Sequence, residues 1–281
     1  MLRGIAAALQ KRDRAMAVGI TANSPPLDRE LSLRLHHALT CGKEELFQVM
    51  LDPAMEVLGA ALRNPVLDEN HLLALLGRRD LSEEFLKAVA RHGAVAESHR
   101  LKVALVHNPA TPAAVSLPLL PHLYLFELAT LAELPGTTPD QRLAAERAII
   151  QRLPTTPLGN RITLARRATA TVLDALMKEG DVRVVEPCLA NPRLKEASVF
   201  QLAASPRTSG EALAAVARCP RWASRPNLKG AILKNPNTPL ALFGTLLATA
   251  PVHELRNLAE SGRLAGERKR LAAEELRRRG V

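Results

Sequence analysis

The side chains that most often carry out catalysis or bind metals are few in this chain and widely separated. Its 281 residues include eight His and three Cys, with no H-E-x-x-H, G-x-S-x-G, C-x-x-C or glycine-rich phosphate-binding motif. His36 and His37 are adjacent, so on a helix they diverge by about 100° and cannot chelate one metal ion. We therefore expect no catalytic residues, no metal site and no cofactor.

The remaining His and Cys residues have ordinary structural explanations. His92 and His99 flank a predicted helix junction and can approach each other, but no carboxylate pattern nearby indicates a metal or an acid–base pair. Cys188 and Cys219 lie in apolar surroundings, where cysteine behaves as a small hydrophobic residue. Three widely spaced cysteines argue against a disulfide framework and suit a reducing cytoplasm.

Basic residues are the stronger functional signal. The net charge is +10, yet residues 1–140 hold 14 Lys/Arg against 16 Asp/Glu, while residues 141–281 hold 24 against 12. Such asymmetry indicates a polyanionic partner for the C-terminal half, and the alternative is that these side chains simply solvate helix faces. The candidate partner-binding residues, a predicted basic stripe with one aromatic, are Arg147, Arg152, Arg183, Arg221, Trp222, Arg225, Lys229, Lys234, Arg268 and Arg270.

Trp222 has two interpretations. It is the chain's one tryptophan, and it stands beside Arg221 and Arg225. It can stack on a nucleic-acid base or a peptide side chain, or it can pack between successive helical units. Aromatic residues form only 2% of the chain, which disfavours reading of single strands by base stacking.

The elements that must position these residues are punctuated by a recurring Asn-Pro-x-Thr-Pro signal. It occurs at residues 108–112 and 235–239, and weaker copies begin at residues 24, 64, 153 and 191. A period near 42 residues along the chain indicates stacked repeats, each packing mainly on its neighbours. We therefore predict one elongated domain over residues 1–281, with residues 1–23 as an N-terminal cap.

Each repeat is predicted to hold three helices. In the clearest unit they cover residues 69–77, 83–91 and 96–107, with Asp68 and Ser82 as N-caps. Asn108-Pro109 ends the third helix, since proline lacks the N–H group that a helix needs and asparagine satisfies local turn groups. Thr111-Pro112 then begins the next helix with Thr as N-cap and Pro at the first helical position. Thr138-Pro139, Thr156-Pro157 and Thr238-Pro239 are predicted to act in the same way.

The amino-acid composition also predicts a helical protein. The hydrophobic fraction is 47%, mostly Leu and Ala, and no stretch alternates as a strand would, so the fold is predicted to be all-α. Small residues near the middle of the third helices, such as Gly59 and Gly230, predict close approach of neighbouring helices. The chain has no apolar run of membrane-spanning length and no credible signal peptide at residues 1–12. We therefore expect a cytoplasmic protein without a membrane partner.

With these features, the chain resembles the armadillo and HEAT class of α-solenoids over roughly residues 14–279. The Asn-Pro-x-Thr-Pro punctuation is also similar to that of bacterial variant leucine-rich repeat and HEAT-like proteins, although those leucine-rich repeats are much shorter than 42 residues. The resemblance implies a right-handed superhelix of about six repeats with a concave binding surface.

Two functions remain open on this basis. The first is a non-catalytic scaffold that binds a protein partner along the concave surface, and an acidic partner would complement the basic stripe. The alternative is nucleic-acid binding through the basic C-terminal half, as in a HEAT-like DNA glycosylase. No acidic residue lies between Glu211 and Glu254 around Trp222, which argues against a glycosylase site there.

Overall fold

The chain folds as helices throughout the part that a computed structural model describes, residues 29–262 and 264–280. No strand occurs within those two ranges, so the all-α prediction is confirmed. The predicted N-terminal cap at residues 1–23 and the repeat start at residue 24 lie outside the described residues.

The helices are short, most of them two or three turns long. In chain order they are α1 (Arg29–Thr40), α2 (Lys43–Val49), α3 (Met55–Ala61), α4 (Glu69–Leu76), α5 (Glu83–Ala90), α6 (Gly93–Glu97), α7 (His99–His107), α8 (Ala113–Leu119), α9 (Leu125–Glu133), α10 (Pro139–Arg152), α11 (Leu158–Arg167), α12 (Ala170–Glu179), α13 (Val182–Ala190), α14 (Glu196–Ala204), α15 (Gly210–Arg218), α16 (Pro220–Ala223), α17 (Pro226–Lys234), α18 (Leu240–Leu247), α19 (Val252–Glu260) and α20 (Gly266–Arg278). Two 3₁₀ turns, Leu120–His122 and Leu153–Thr155, complete the regular elements of the described chain.

The chain divides into two compact units, Met1–Leu75 and Leu76–Val281. In the first unit α1 packs on α3, and the core includes the fully buried Ala38, Leu46, Leu58 and Leu72. His71 is also buried there; its ring stacks on Phe47 and its Nε2 lies 2.9 Å from the carbonyl oxygen of Lys43.

Two buried apolar clusters of the second unit run from Val106 to Ile232 and from Leu233 to Ala272. The main helix contacts join elements no more than three places apart along the chain, such as α11 with α13 and α14 with α17. None of the described helices has the length and apolar character needed to cross a lipid bilayer.

Four buried asparagines each join separate segments within their own unit, and each stands at a predicted repeat junction: Asn64 in the first unit, and Asn108, Asn191 and Asn235 in the second. We call them the bridging asparagines. Asn235 is typical: its Nδ2 donates to the carbonyl oxygens of Ala203 and Ser205, 2.7 and 2.8 Å away, and its Oδ1 accepts the N–H of Asn237. The other three make the same pair of contacts, to carbonyls 23 to 32 residues earlier in the chain. The bridging asparagines therefore fill the predicted local turn role through Oδ1, and in addition they bind a distant segment through Nδ2.

Only one of the four predicted threonine caps forms. Thr138 caps α10, with Pro139 at the first helical position. The helices after Thr111, Thr156 and Thr238 instead have Pro112, Pro157 and Pro239 as their N-cap residues. The Thr238 hydroxyl instead donates back to the carbonyl of Ile232, near the end of the preceding helix. Thr238 stands one residue before the cap, and its hydroxyl adds a second hydrogen bond to the Ile232 carbonyl, which already accepts the N–H of Asn235.

Four arginines bind turn carbonyls from about 30 residues earlier: Arg152, Arg221, Arg268 and Arg279. We call them the carbonyl-binding arginines. Arg221, for example, donates to the carbonyls of Asn191, Pro192 and Leu194 at 2.7 to 3.1 Å. Charge-assisted hydrogen bonds of this kind satisfy carbonyls that a helix end leaves without partners.

Candidate binding groove

An open groove of about 770 Å³ lies along α17 in the second unit. Helices α14, α18 and α19 all contact α17, and each contributes residues to the groove. Its lining is Phe200, Ala204, Pro226, Asn227, Lys229, Gly230, Ala231, Leu233, Lys234, Leu246, Thr249, Ala250, Pro251, His253, Glu254, Asn257, Leu258 and Ser261. This mixture of apolar and charged side chains is typical of a binding site more than of a purely electrostatic channel.

Helix α17 forms the floor because its sequence separates an apolar face from a basic one. Pro226 starts it, and Leu228, Ile232 and Leu233 are buried in the core. Lys229 and Lys234 are left on the groove side, where 61% of the Lys234 side chain is exposed.

Glycine at position 230 gives the floor its shape. A β-carbon there would collide with the carboxylate of Glu254, which reaches across from α19. The close approach predicted from Gly230 is therefore real, but it brings a side chain rather than a neighbouring backbone onto the helix. At Gly59 an added β-carbon would meet no other segment of the described residues within 4 Å, so the described part of the chain does not show a close approach there.

The charges in the groove are only partly paired. The Lys234 Nζ lies 3.9 Å from the Glu254 Oε1, which is too long for a hydrogen bond. Among the described residues no carboxylate lies within ion-pair distance of Lys229. The groove therefore carries more positive than negative charge at neutral pH.

Apolar side chains are also exposed here. Phe200 on α14 is 44% exposed, and Leu246 is half-buried at the end of α18. Aromatic side chains are enriched at protein–protein interfaces. Neither Phe200 nor Glu254 was predicted from the sequence to be a binding residue. For Phe200 a signal was available, because a large aromatic residue stands on the polar side of an Ala-rich helix.

The structure brings only two of the ten predicted partner-binding residues, Lys229 and Lys234, into this groove. Arg225 stands just before α17 and lies 3.8 Å from Glu196. Arg183 pairs with Asp181 and borders a smaller cleft beside α13. Arg147 and Arg270 are exposed elsewhere in the second unit.

The other four make internal contacts, so their predicted roles need correction. Trp222 is 3% exposed, and its Nε1 donates to the Leu189 carbonyl 3.0 Å away. Arg268 is 9% exposed and bound to the carbonyls of Asn235, Pro236 and Thr238. Neither side chain is available to a partner. The guanidinium groups of Arg152 and Arg221 are likewise held by carbonyls, because each must satisfy a turn of an earlier helix.

The histidines considered above also have structural partners. His92 Nδ1 accepts the N–H of Ala94 at the start of α6, and His99 Nε2 lies 2.9 Å from both carboxylate oxygens of Glu127. His99 also stacks on Tyr124. Over residues 29–262 and 264–280, no group of three or more His, Cys, Asp or Glu side chains is arranged to hold a metal ion.

Comparison with family models, with curated proteins and with solved structures returned no match for this chain.

Proposed function

We propose that this protein is a non-catalytic binding module that takes a segment of a partner protein into the groove along α17. The observation that carries the proposal is the groove itself, which places exposed Phe200 beside Lys229 and Lys234. A cavity of about 770 Å³ has room for a few side chains of an extended or helical segment.

The fold that presents the groove is proposed to be an α-solenoid of the armadillo and HEAT kind, with about six repeats in a right-handed superhelix. Support comes from the recurrence of one device: a bridging asparagine stands at four of the predicted junctions, at residues 64, 108, 191 and 235. Repetition of a buried polar contact at the sequence period is expected of stacked, similar units.

Site-specific photocrosslinking tests the groove. A benzophenone amino acid replaces Phe200 in the full chain, and the control places it at Leu143, a 42% exposed residue of α10 that does not line the groove. We expect protein adducts in cells from position 200, absent at 143 and reduced when Lys229→Glu and Lys234→Glu are added. Equal adducts at both positions, or adducts unaffected by the lysine changes, would contradict the proposal.

Nucleic-acid binding is the second candidate. It is favoured by the excess of 24 Lys/Arg over 12 Asp/Glu in residues 141–281 and by the exposed Arg147 and Arg270. Duplex binding through such charges must weaken steeply with added salt. Fluorescence anisotropy with a labelled duplex over a salt series tests it, and absent or salt-independent binding removes it. The glycosylase version is not proposed, because Trp222 is buried and cannot cradle an extruded base.

A further inference from the structure

The groove has an internal carboxylate at the place where a ligand's carboxylate would bind. Lys234 follows Gly230 by four residues, so the two lie on the same face of α17. Glu254 fills the space over Gly230 and ends 3.9 Å from the Lys234 Nζ. The Glu254 side chain is 15% exposed, while that of Lys234 is 61% exposed.

This ion pair is weak by its geometry. The separation exceeds hydrogen-bond length, so the pair lacks the charge-assisted hydrogen bond that makes an ion pair strong. A ligand carboxylate that reaches Lys234 directly can therefore displace Glu254 at small cost. Lys229, on the same helix and lining the same groove, supplies a second ammonium group with no carboxylate near it among the described residues.

The apolar lining indicates the rest of the ligand. Phe200, Leu246 and Pro251 offer contact surface that a chain of acidic residues alone would leave uncovered. A phosphate backbone fits less well, because it offers no apolar side chain to cover this part of the lining. Charge and apolarity together favour a short peptide segment with both acidic and large apolar side chains.

Resting on the proposed function, we infer that the groove binds an acidic, apolar-containing peptide segment of a partner protein. One carboxylate of that segment replaces Glu254 at Lys234, a second acidic group faces Lys229, and an apolar side chain packs on Phe200. Glu254 thus occupies the ligand position in the free protein and competes with acidic ligands.

Three short labelled peptide libraries test the inference on the full chain by fluorescence anisotropy. The first alternates Asp/Glu with Leu, Phe, Met or Val; the second replaces Asp/Glu by Asn/Gln; the third replaces them by Lys/Arg. We expect the acidic library to bind about tenfold more tightly than the neutral one, a difference of about 1.4 kcal/mol. The basic library should bind least.

Two variants test the roles of Lys234 and Glu254 in binding the acidic peptides. Lys234→Gln should weaken binding of the acidic library by about tenfold, and Glu254→Gln should strengthen it several-fold because the internal competitor loses its charge. Arg270→Gln removes an exposed charge outside the groove and should leave binding unchanged. Circular dichroism of each variant verifies that the fold is kept.

The outcomes separate this inference from the proposed function. Equal binding of the neutral and acidic libraries, or weaker binding by Glu254→Gln, overturns the acidic ligand while leaving a peptide groove in place. Binding by none of the libraries overturns the inference, and crosslinking at position 200 then decides the proposed function independently. A duplex or a second copy of this chain that displaces the acidic library from the groove with higher affinity overturns both.

Discussion

Arg268 donates hydrogen bonds to the main-chain carbonyl of Asn235, whose own side chain donates to the carbonyls of Ala203 and Ser205. Three separate segments are therefore joined through one buried asparagine and one buried arginine. This chain of contacts explains why Arg268, which the sequence predicted to bind a partner, faces inward instead.

Replacement of Arg268 should destabilise the second unit. Arg268→Met leaves the carbonyls of Asn235, Pro236 and Thr238 without their donor, and we expect a loss of about 3 kcal/mol in the free energy of unfolding. The control Arg270→Met lies on the same helix but is exposed, so its effect should stay within about 0.5 kcal/mol. Urea unfolding followed by the fluorescence of Trp222 measures both, and equal stabilities would contradict the structural role.

The stabilisation that the bridging asparagines provide should depend on the N–H donors of their side-chain amides. In Asn235→Ala the carbonyls of Ala203 and Ser205 lose their partner, at a cost of about 2 kcal/mol. Asn235→Asp keeps the shape but sets a carboxylate against two carbonyl oxygens, so it should be less stable than the alanine variant. The same urea experiment ranks them, with exposed Asn227→Asp as the control. An aspartate variant as stable as the original protein would argue against the bridge.

Acid should lower the stability of the first unit, because it protonates Asp68. A hydrogen bond from Lys43, 2.7 Å away, is the main reason that the pKa of this carboxyl falls to about 2. A carboxyl with a lowered pKa stabilises the fold above its unfolded value, about 3.9, and that stabilisation is lost as pH falls towards about 2. Between pH 6 and pH 3 the original protein should therefore lose more stability than Lys43→Gln.

Circular dichroism during urea unfolding measures this difference, because the single tryptophan lies in the other unit. Lys43 is 59% exposed, so its replacement should not disturb the core. Identical acid sensitivity in the two proteins would show that the Lys43 contact does not set the Asp68 pKa.

The cysteines should differ in reactivity. Burial, with a smaller contribution from Glu179, raises the pKa of the Cys188 thiol to about 12, so it stays protonated and unreactive near pH 8. Cys219 is half-buried and should be alkylated first by iodoacetamide, while Cys188 reacts only after unfolding. Peptide mass spectrometry over time gives the order, and Cys219→Ser should remove the fast phase. Equal rates at the two positions would contradict the buried placement.

Local signals in the sequence determined the helical class and several helix ends. Thr138-Pro139 caps α10 as predicted, Ser82 caps α5, and α7 ends just before Asn108. These outcomes depend on a proline's missing N–H and a hydroxyl's reach over three residues, both of which are fixed by neighbours in the chain.

Only the tertiary structure decided which polar residues face inward. Arg268 and Arg270 are alike in the sequence, yet one is buried against carbonyls of Asn235 and the other is exposed. The groove likewise depends on the meeting of Gly230 and Glu254 across 24 residues. Local pattern does not encode such pairings, because they depend on how whole helices pack and on which unsatisfied carbonyls that packing leaves within reach.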